Sequence, residues 1–529
     1  MLRNLQSSRL CVRQQSRTRS ARYIISRSYA QYNHNFNQTY ANYNPPKTPF
    51  AKKLLYATLG LAAFTGMAYY VWWPKHTFPK SVAKILRRGL WAESDRGEYD
   101  YQLALKYYLE ALEHCKELGM DPLSDEYTGI QLKIGEMFER LNMMEDASLI
   151  YNEIASLYLS VLTARGDPEL KKRIRDRDHR RHLIQKDLRI AIKLVELSDY
   201  NPNLCKAILV THLIVAQDEV SKLIGDRNGL NLFTKANGGD SSKNGDTKKQ
   251  EKKKNYTASL ENDTILISDA ESNEEVARIK KTPEVWEPFT EEFFNAMDLL
   301  SAICITTGDL AMAAKVKVNM AEDMLLADVE PSKLLLSQCN LGSLFYMQAE
   351  ELEAKEIAMK RQFASVANVD YEDIKGSGDL AGNTESGSES ESKLRLKLKE
   401  KIPAEEQLAY NNVASTREIC LELAIKSYEA VLQFAKSIPQ DVVKENNKIS
   451  ETVALATYGL GVINLHLSKY DQAERYLRES RVRSKACNYE DLLSEIEREL
   501  NKLFEEKTAL ERGERGERPN SIEVDIHMT

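Results

Sequence analysis

Through most of residues 78–511 apolar positions return every three or four residues, the period of helices buried on one side. Before this region, residues 54–73 read LLYATLGLAAFTGMAYYVWW and carry no charge. Twenty residues at helical rise reach roughly 30 Å, the hydrocarbon thickness of a bilayer. Tyr69, Tyr70, Trp72 and Trp73 near the far end are rings of the kind that sit where headgroups meet hydrocarbon. The run is expected to be one transmembrane helix.

Beyond it the helical pattern repeats. Ile134-Gly135-x2-Phe138 is followed by Ala147-x3-Tyr151, twelve residues from small residue to small residue. Leu341-Gly342-x2-Phe345 repeats the first half, and Ala424-x3-Tyr428-x2-Val431 the second. Leu460-Gly461 with Ala473-x3-Leu477 keeps the spacing of twelve; Trp91-Ala92 precedes Ala104-x3-Tyr108, and Leu300-Ser301, Gly308 and Ala313 form a degraded copy. This is the tetratricopeptide (TPR) pattern, in which small residues let two antiparallel helices approach and aromatics fill the space toward the next hairpin. The prolines that close each unit come late: Pro122 follows Ala104 by 18 residues, and Pro168 follows Ala147 by 21. Second helices longer than usual are expected. The fold class is therefore all-α, a TPR-like helical-hairpin solenoid with one N-terminal transmembrane helix.

Two stretches interrupt the array. Residues 226–282 hold Gly238-Gly239, a lysine run and an acidic run; residues 366–400 hold a stretch at 370–393 of Gly, Ser and acid around SGSESES. Both are too poor in large apolar residues to build a core and read as disordered inserts. The hairpins accordingly fall in 78–225, 283–365 and 401–511. The helix after the second insert is expected to start at the capping box Ser415-x2-Glu418. The final helix closes the stack with Leu492, Ile496, Leu500 and Leu503 on one face, and the tail 512–529 reads as disordered.

Charge divides the chain. Residues 1–92 carry 15 Lys plus Arg and no acid, which leaves 58 of the 73 basic residues to face all 79 acidic ones. So acidic a domain is a poor nucleic-acid binder, because phosphate affinity comes mostly from Lys and Arg. Residues 1–29, with seven Arg and six Ser, have the composition of a mitochondrial presequence. Arg27-Ser28-Tyr29-Ala30 resembles a matrix-peptidase site, with cleavage between Tyr29 and Ala30. Residues 30–53, rich in Asn, Gln and Tyr, read as a disordered linker.

Nothing announces a reaction. There is no nucleotide loop, nucleophile elbow, His-Glu-x-x-His or paired-Cys metal site, and the seven Cys are scattered singly. His179 and His182, three apart amid Arg and Asp, read as a solvated helix face. No enzyme, cofactor or metal is expected. A TPR array offers instead the face lined by its first helices. That face should present Leu132, Glu136 and Arg140 on the second unit, Cys339, Ser343, Tyr346 and Met347 on a later one, and Tyr458, Val462, Leu465 and His466 on the last. The later units would then offer a mostly apolar groove for varied segments, or pack these residues against the array's own second helices. Both readings are open.

Phe78-Pro79-Lys80-Ser81-Val82-Ala83-Lys84, Leu90-Trp91-Ala92-Glu93 and Ser124-Asp125-Glu126-Tyr127-Thr128-Gly129-Ile130-Gln131-Leu132-Lys133 resemble the fungal TPR adaptor subunits of the mitochondrial i-AAA protease supercomplex. The resemblance implies an inner-membrane protein with its TPR domain in the intermembrane space. It implies as partners the i-AAA protease, a second adaptor, and unfolded or surplus proteins delivered for degradation. The Lys and Arg flanking the span, counted naively, would instead put the domain in the matrix; the resemblance is followed here. The alternative is a membrane-anchored TPR assembly factor for a respiratory-chain complex.

Overall fold

The computed structural model describes residues 58–67, 77–164, 172–198, 201–224, 256–261, 264–269, 275–368 and 401–512. The chain divides into two units, Met1–His76 and Thr77–Thr529. Of the first, residues 58–67 are helical and exposed. They form the middle of the uncharged run, whose two ends lie outside the described residues. Among the described residues no helix is long and apolar enough to cross a membrane. The presequence, its expected cleavage position at Tyr29 and Ala30, and the linker also lie outside them.

The second unit begins with α1 (Lys80–Glu93), α2 (Tyr101–Glu117), α3 (Asp125–Arg140), α4 (Met144–Leu162), α5 (Arg177–Leu197) and α6 (Pro202–Ile224). After strands β1 (Tyr256–Glu261), β2 (Thr264–Asp269) and β3 (Glu275–Lys280) come α7 (Pro283–Trp286), α8 (Thr290–Thr306), α9 (Leu310–Leu326) and α10 (Pro331–Ala367). The stack ends with α11 (Ala404–Ser437), α12 (Gln440–Glu445), α13 (Asn447–His466), α14 (Tyr470–Ala486) and α15 (Glu490–Glu511). Each long helix packs on its neighbours in sequence, and α5 on α8 and α10 on α13 also touch one repeat apart. Successive apolar clusters run along the stack instead of one central core. That is a solenoid, where each hairpin buries its second face against the next.

The repeat pattern is realised at the level of single residues. Counting seven from the small residue of each first helix reaches Tyr99, Asn142, Gly308 and Ser468, and all four have positive φ, between 56° and 76°. At Asn142, Gly308 and Ser468 a left-handed residue just past the first helix lets the chain turn back, whereas Tyr99 comes six residues after α1 has ended at Glu93. In three of the four the next-residue amide closes on the first helix: Met143 N–H on the Phe138 carbonyl at 2.8 Å, Asp309 on Cys304 at 2.8 Å, Lys469 on Asn464 at 2.9 Å. Five residues later Ala104, Ala147, Ala313 and Ala473 are fully buried. The second helices are long as expected. With 16 residues in α3 and 19 in α4, one hairpin already exceeds the usual repeat of about 34.

Small residues carry the close approaches. A Cβ on Gly135 would lie 2.6 Å from the ring of Tyr151. Tyr428 is held between two helices: a Cβ on Gly342 would be 3.0 Å from its ring, and one on Gly459 2.5 Å. The two half-motifs around Leu341-Gly342 and Ala424-x3-Tyr428 thus belong to one hairpin, although residues 369–400 separate its helices.

That hairpin is the longest of the array. At 37 residues α10 spans about 55 Å, and α11 has 34 residues. Their distal ends share a separate cluster of Phe363, Ala364, Ala367, Ile402 and Tyr410. Buried Glu356 there accepts from Tyr410 Oη at 3.0 Å and pairs with Lys360 and Arg417 at 3.2 and 3.1 Å. Because α11 gains these contacts it continues upstream of Ser415, so the expected helix start at Ser415-x2-Glu418 is corrected: Ser415 lies within the helix.

A second correction concerns residues 226–282, read as wholly disordered. Residues 256–280 contain an antiparallel meander in the order β1-β2-β3, with Thr264 facing Glu261 on one side and Lys280 on the other. The lysine and acid runs nearby dominate the composition, while TILIS and EVARI have the β-branched content that strands favour. The described fold is thus helical apart from this small sheet.

Candidate interaction surface

The first helices α1, α3, α5 and α8 are joined by polar contacts between their side chains. Glu93 of α1 accepts from Tyr108 Oη at 2.7 Å and from Lys133 Nζ of α3 at 3.0 Å. Lys133 also reaches Glu136 at 2.7 Å; Arg140 donates to Glu136 at 2.6 Å and to Tyr101 Oη at 3.2 Å, its guanidinium 5.1 Å from that ring's centre. Burial works against ionisation of Glu136, but the hydrogen bonds from Lys133 and Arg140 win and hold its carboxyl below the usual range.

The ladder continues toward α8. Glu139 accepts from Tyr151 Oη at 2.6 Å and pairs with Lys193 of α5 at 3.0 Å. Gln185 and Arg189 of α5 both donate to Glu292 of α8, at 3.0 and 2.7 Å. An open pocket of about 280 Å³ lies between α5 and α8, lined by Arg189, Ile192, Lys193, Glu196, Glu291, Glu292 and Asn295. Leu132, Glu136 and Arg140, expected on this face, are brought together there, and Leu132 is 39 % exposed.

The apolar residues expected on the later units have other occupations. Tyr458 and Leu465, each 3 % exposed, belong to the cluster that includes Leu492, Ile496, Leu500 and Leu503 of α15. The capping helix covers them, and each aliphatic side chain it buries contributes about 2 kcal/mol. Val462 is half-buried beside both C-terminal clusters. Cys339 is fully buried, and burial pushes its thiol up to about 12. Met347 packs against the middle cluster. Ser343 shares a hydrogen bond of 2.9 Å with Tyr428 Oη.

Tyr346 and His466 form a joint between α10 and α13. Tyr346 Oη lies 3.0 Å from His466 Nδ1, and His466 Nε2 lies 2.8 Å from Glu353. His466 thus links Tyr346 and Glu353 of α10 through its two ring nitrogens. The surface a mostly apolar groove would occupy is therefore packed internally at Tyr458 and Leu465. What stays accessible along α3, α5 and α8 includes the charged ladder of Glu136, Arg140, Lys193 and Arg189.

Sequence reasoning named Leu132, Glu136 and Arg140 on that surface and missed Glu93, Lys133, Lys193, Arg189 and Glu292. The i, i+4 spacing of Leu132, Glu136 and Arg140 was legible. Pairs between helices have no such signature. All six described cysteines are buried.

The buried pair Asp187–His212 lies between α5 and α6, with Oδ2 and Nδ1 2.8 Å apart. Burial raises the carboxyl of Asp187, against the pull of His212. Among the described residues no cluster of His, Cys, Asp and Glu has the makings of a metal site.

Residues 168–329, which run from α5 through the meander to α9, match the model of the MGR3 middle domain. The mitochondrial inner membrane i-AAA protease supercomplex subunit MGR3 of Saccharomyces cerevisiae is 33 % identical over 488 residues, 88 % of this chain and 86 % of that protein. The protein MRG3-like of the same yeast is 30 % identical over 451 residues, 84 % of this chain and 86 % of its own length. A TPR repeat-containing protein of Schizosaccharomyces pombe is 28 % identical over 155 residues, 28 % of this chain and 38 % of its own. The resemblance seen at residues 78–133 thus extends along nearly the whole sequence, and the chain belongs to the MGR3 family.

Proposed function

We propose that this protein is a non-enzymatic adaptor subunit of a mitochondrial i-AAA protease complex, anchored in the inner membrane by residues 54–73. Its array would face the intermembrane space, bind unfolded or surplus proteins together with a second adaptor, and deliver them to the protease. The observation that carries this reading is the 33 % identity over 88 % of the chain to a subunit of such a supercomplex. A stack of hairpins with long first-helix faces is suited to holding proteins, and the polar ladder and pocket on α3, α5 and α8 form the surface left open for it.

On this reading the residues that meet a partner are Leu132, Glu136 and Arg140, along with Lys193 and Glu196 at the pocket. Tyr458 and Leu465 serve the fold. Affinity isolation of the full chain in mild detergent should recover a hexameric AAA protease; recovery of respiratory subunits without the protease would overturn the reading. In mitochondria with a ruptured outer membrane, added protease should cleave the C-terminus. A protected C-terminus would place the domain in the matrix.

A further inference from the structure

We infer that the outward face of α1 seats on an anionic lipid surface. The inward face of this helix is Val82, Ile85, Gly89 and Ala92, buried against the hairpin partner α2. On the opposite side Lys80, Lys84, Arg87 and Trp91 follow one another at spacings of four, three and four, and so share one stripe, with Arg88 beside it. All five are exposed, Trp91 to 57 %, and neighbouring Leu90 to 52 %. Among the described residues none of the four cations has a carboxylate within ion-pair distance. The one acid of the helix, Glu93, is turned toward Tyr108 and Lys133.

Soluble surfaces usually intersperse charges of both signs, as the α1–α3–α5–α8 ladder of this chain does. A stripe of one sign that also carries an exposed indole is what suits a bilayer interface. Ammonium and guanidinium groups meet headgroup phosphates there, and the indole enters the zone between headgroups and acyl chains. An acidic protein segment would satisfy the cations but leave Trp91 and Leu90 in water. The rest of the chain beyond α1 is acidic on balance and would be repelled by the same lipids. Six residues separate Trp73 from Lys80, a tether of at most about 25 Å. The inference rests on reading residues 54–73 as a span.

The test uses the full chain with Trp72→Phe and Trp73→Phe, so that Trp91 is the accessible indole and Trp286 stays buried. It is placed in lipid nanodiscs of phosphatidylcholine alone or mixed with phosphatidylglycerol, brominated near the headgroup end of the acyl chains. Quenching of Trp91 should be about threefold stronger in the anionic discs and should fall to the zwitterionic level at high salt or with K80E/K84E/R87E/R88E. The milder K84Q/R87Q should fall between, and circular dichroism should be unchanged for both. Equal quenching in the two discs, or indifference to charge reversal, overturns the inference and leaves the span reading standing. A chain that alkaline carbonate strips from the discs overturns the span reading, and the inference with it.

Discussion

Gly459 of α13 leaves room for the ring of Tyr428 on α11: a Cβ at that position would sit 2.5 Å from Cζ. The contact crosses from one hairpin to the next, while Gly342 on the other side belongs to Tyr428's own hairpin. Since Tyr428 is buried and its hydroxyl is tied to Ser343, the ring has nowhere to move. Gly459→Ala should destabilise the C-terminal hairpins by about 1–3 kcal/mol, read as a lower urea midpoint. The double variant Gly459→Ala/Tyr428→Leu should recover part of that loss; no recovery would show that the clash lies elsewhere.

Ser468 has φ 57° at a turn where the equivalent position of another hairpin is Gly308. A side chain costs strain there and glycine does not. Ser468→Gly should raise stability by roughly 0.5–1 kcal/mol in thermal or urea unfolding. The same change at an ordinary helical site, such as Ser494, should lower it.

His212 is the hydrogen-bond partner of a carboxylate that is 1 % exposed. His212→Leu leaves Asp187 buried without it and should cost about 3–5 kcal/mol at pH 7. Burial already raises the Asp187 carboxyl, and in the variant the raised group prefers its proton. The folded form then binds more protons than the unfolded one, so the deficit should shrink as pH falls toward about 4, the unfolded value. A deficit independent of pH would mean that lost packing, not the stranded charge, is responsible.

Lys507 of α15 holds Glu474 of α14 at 2.8 Å and Asp471 at 3.0 Å. Its hydrogen bond keeps the Glu474 carboxyl below the usual range, and Glu474 in turn raises Lys507. The depressed carboxyl contributes above its unfolded value near pH 4 and stops contributing as pH falls through the folded one. The raised amine contributes below about pH 10. Lys507→Met should therefore lower the melting temperature by the same amount between about pH 6 and 9, and by progressively less as pH falls through the folded value of Glu474.

Partner binding separates two classes of residue. Arg140→Ala removes bonds to Glu136 and Tyr101 at the surface and should leave the melting temperature within a few degrees while weakening capture of unfolded protein by the full chain. Leu465→Asp should instead unseat α15 and lower stability by several kcal/mol. Unchanged capture by Arg140→Ala, with intact binding elsewhere, would exclude the charged face as the binding surface.

The sequence by itself determined where the hairpins are. The spacing of twelve between small residues, the apolar period and the late prolines all report on local geometry, which a few consecutive residues encode. So the pairs Ala92–Ala104, Gly135–Ala147 and Gly461–Ala473 were legible, as was the long reach of the second helices. Even Leu341-Gly342 and Ala424-x3-Tyr428 were recognisable as halves. The strands at 256–280 were masked by the charges around them.

Only the tertiary structure decided which way the apolar faces look. A helix inside a solenoid has one apolar side for its own partner and another for the next repeat, and a period of 3.6 does not say which is which. Tyr458 and Leu465 fit a groove by position, and α15 covers them because the stack needs its last face closed. Glu93 meets Lys133, and Arg189 meets Glu292, because neighbouring hairpins set their first helices side by side. Such pairs depend on the angle between repeats, which arises from the packing of whole helices and is written at no single position of the chain.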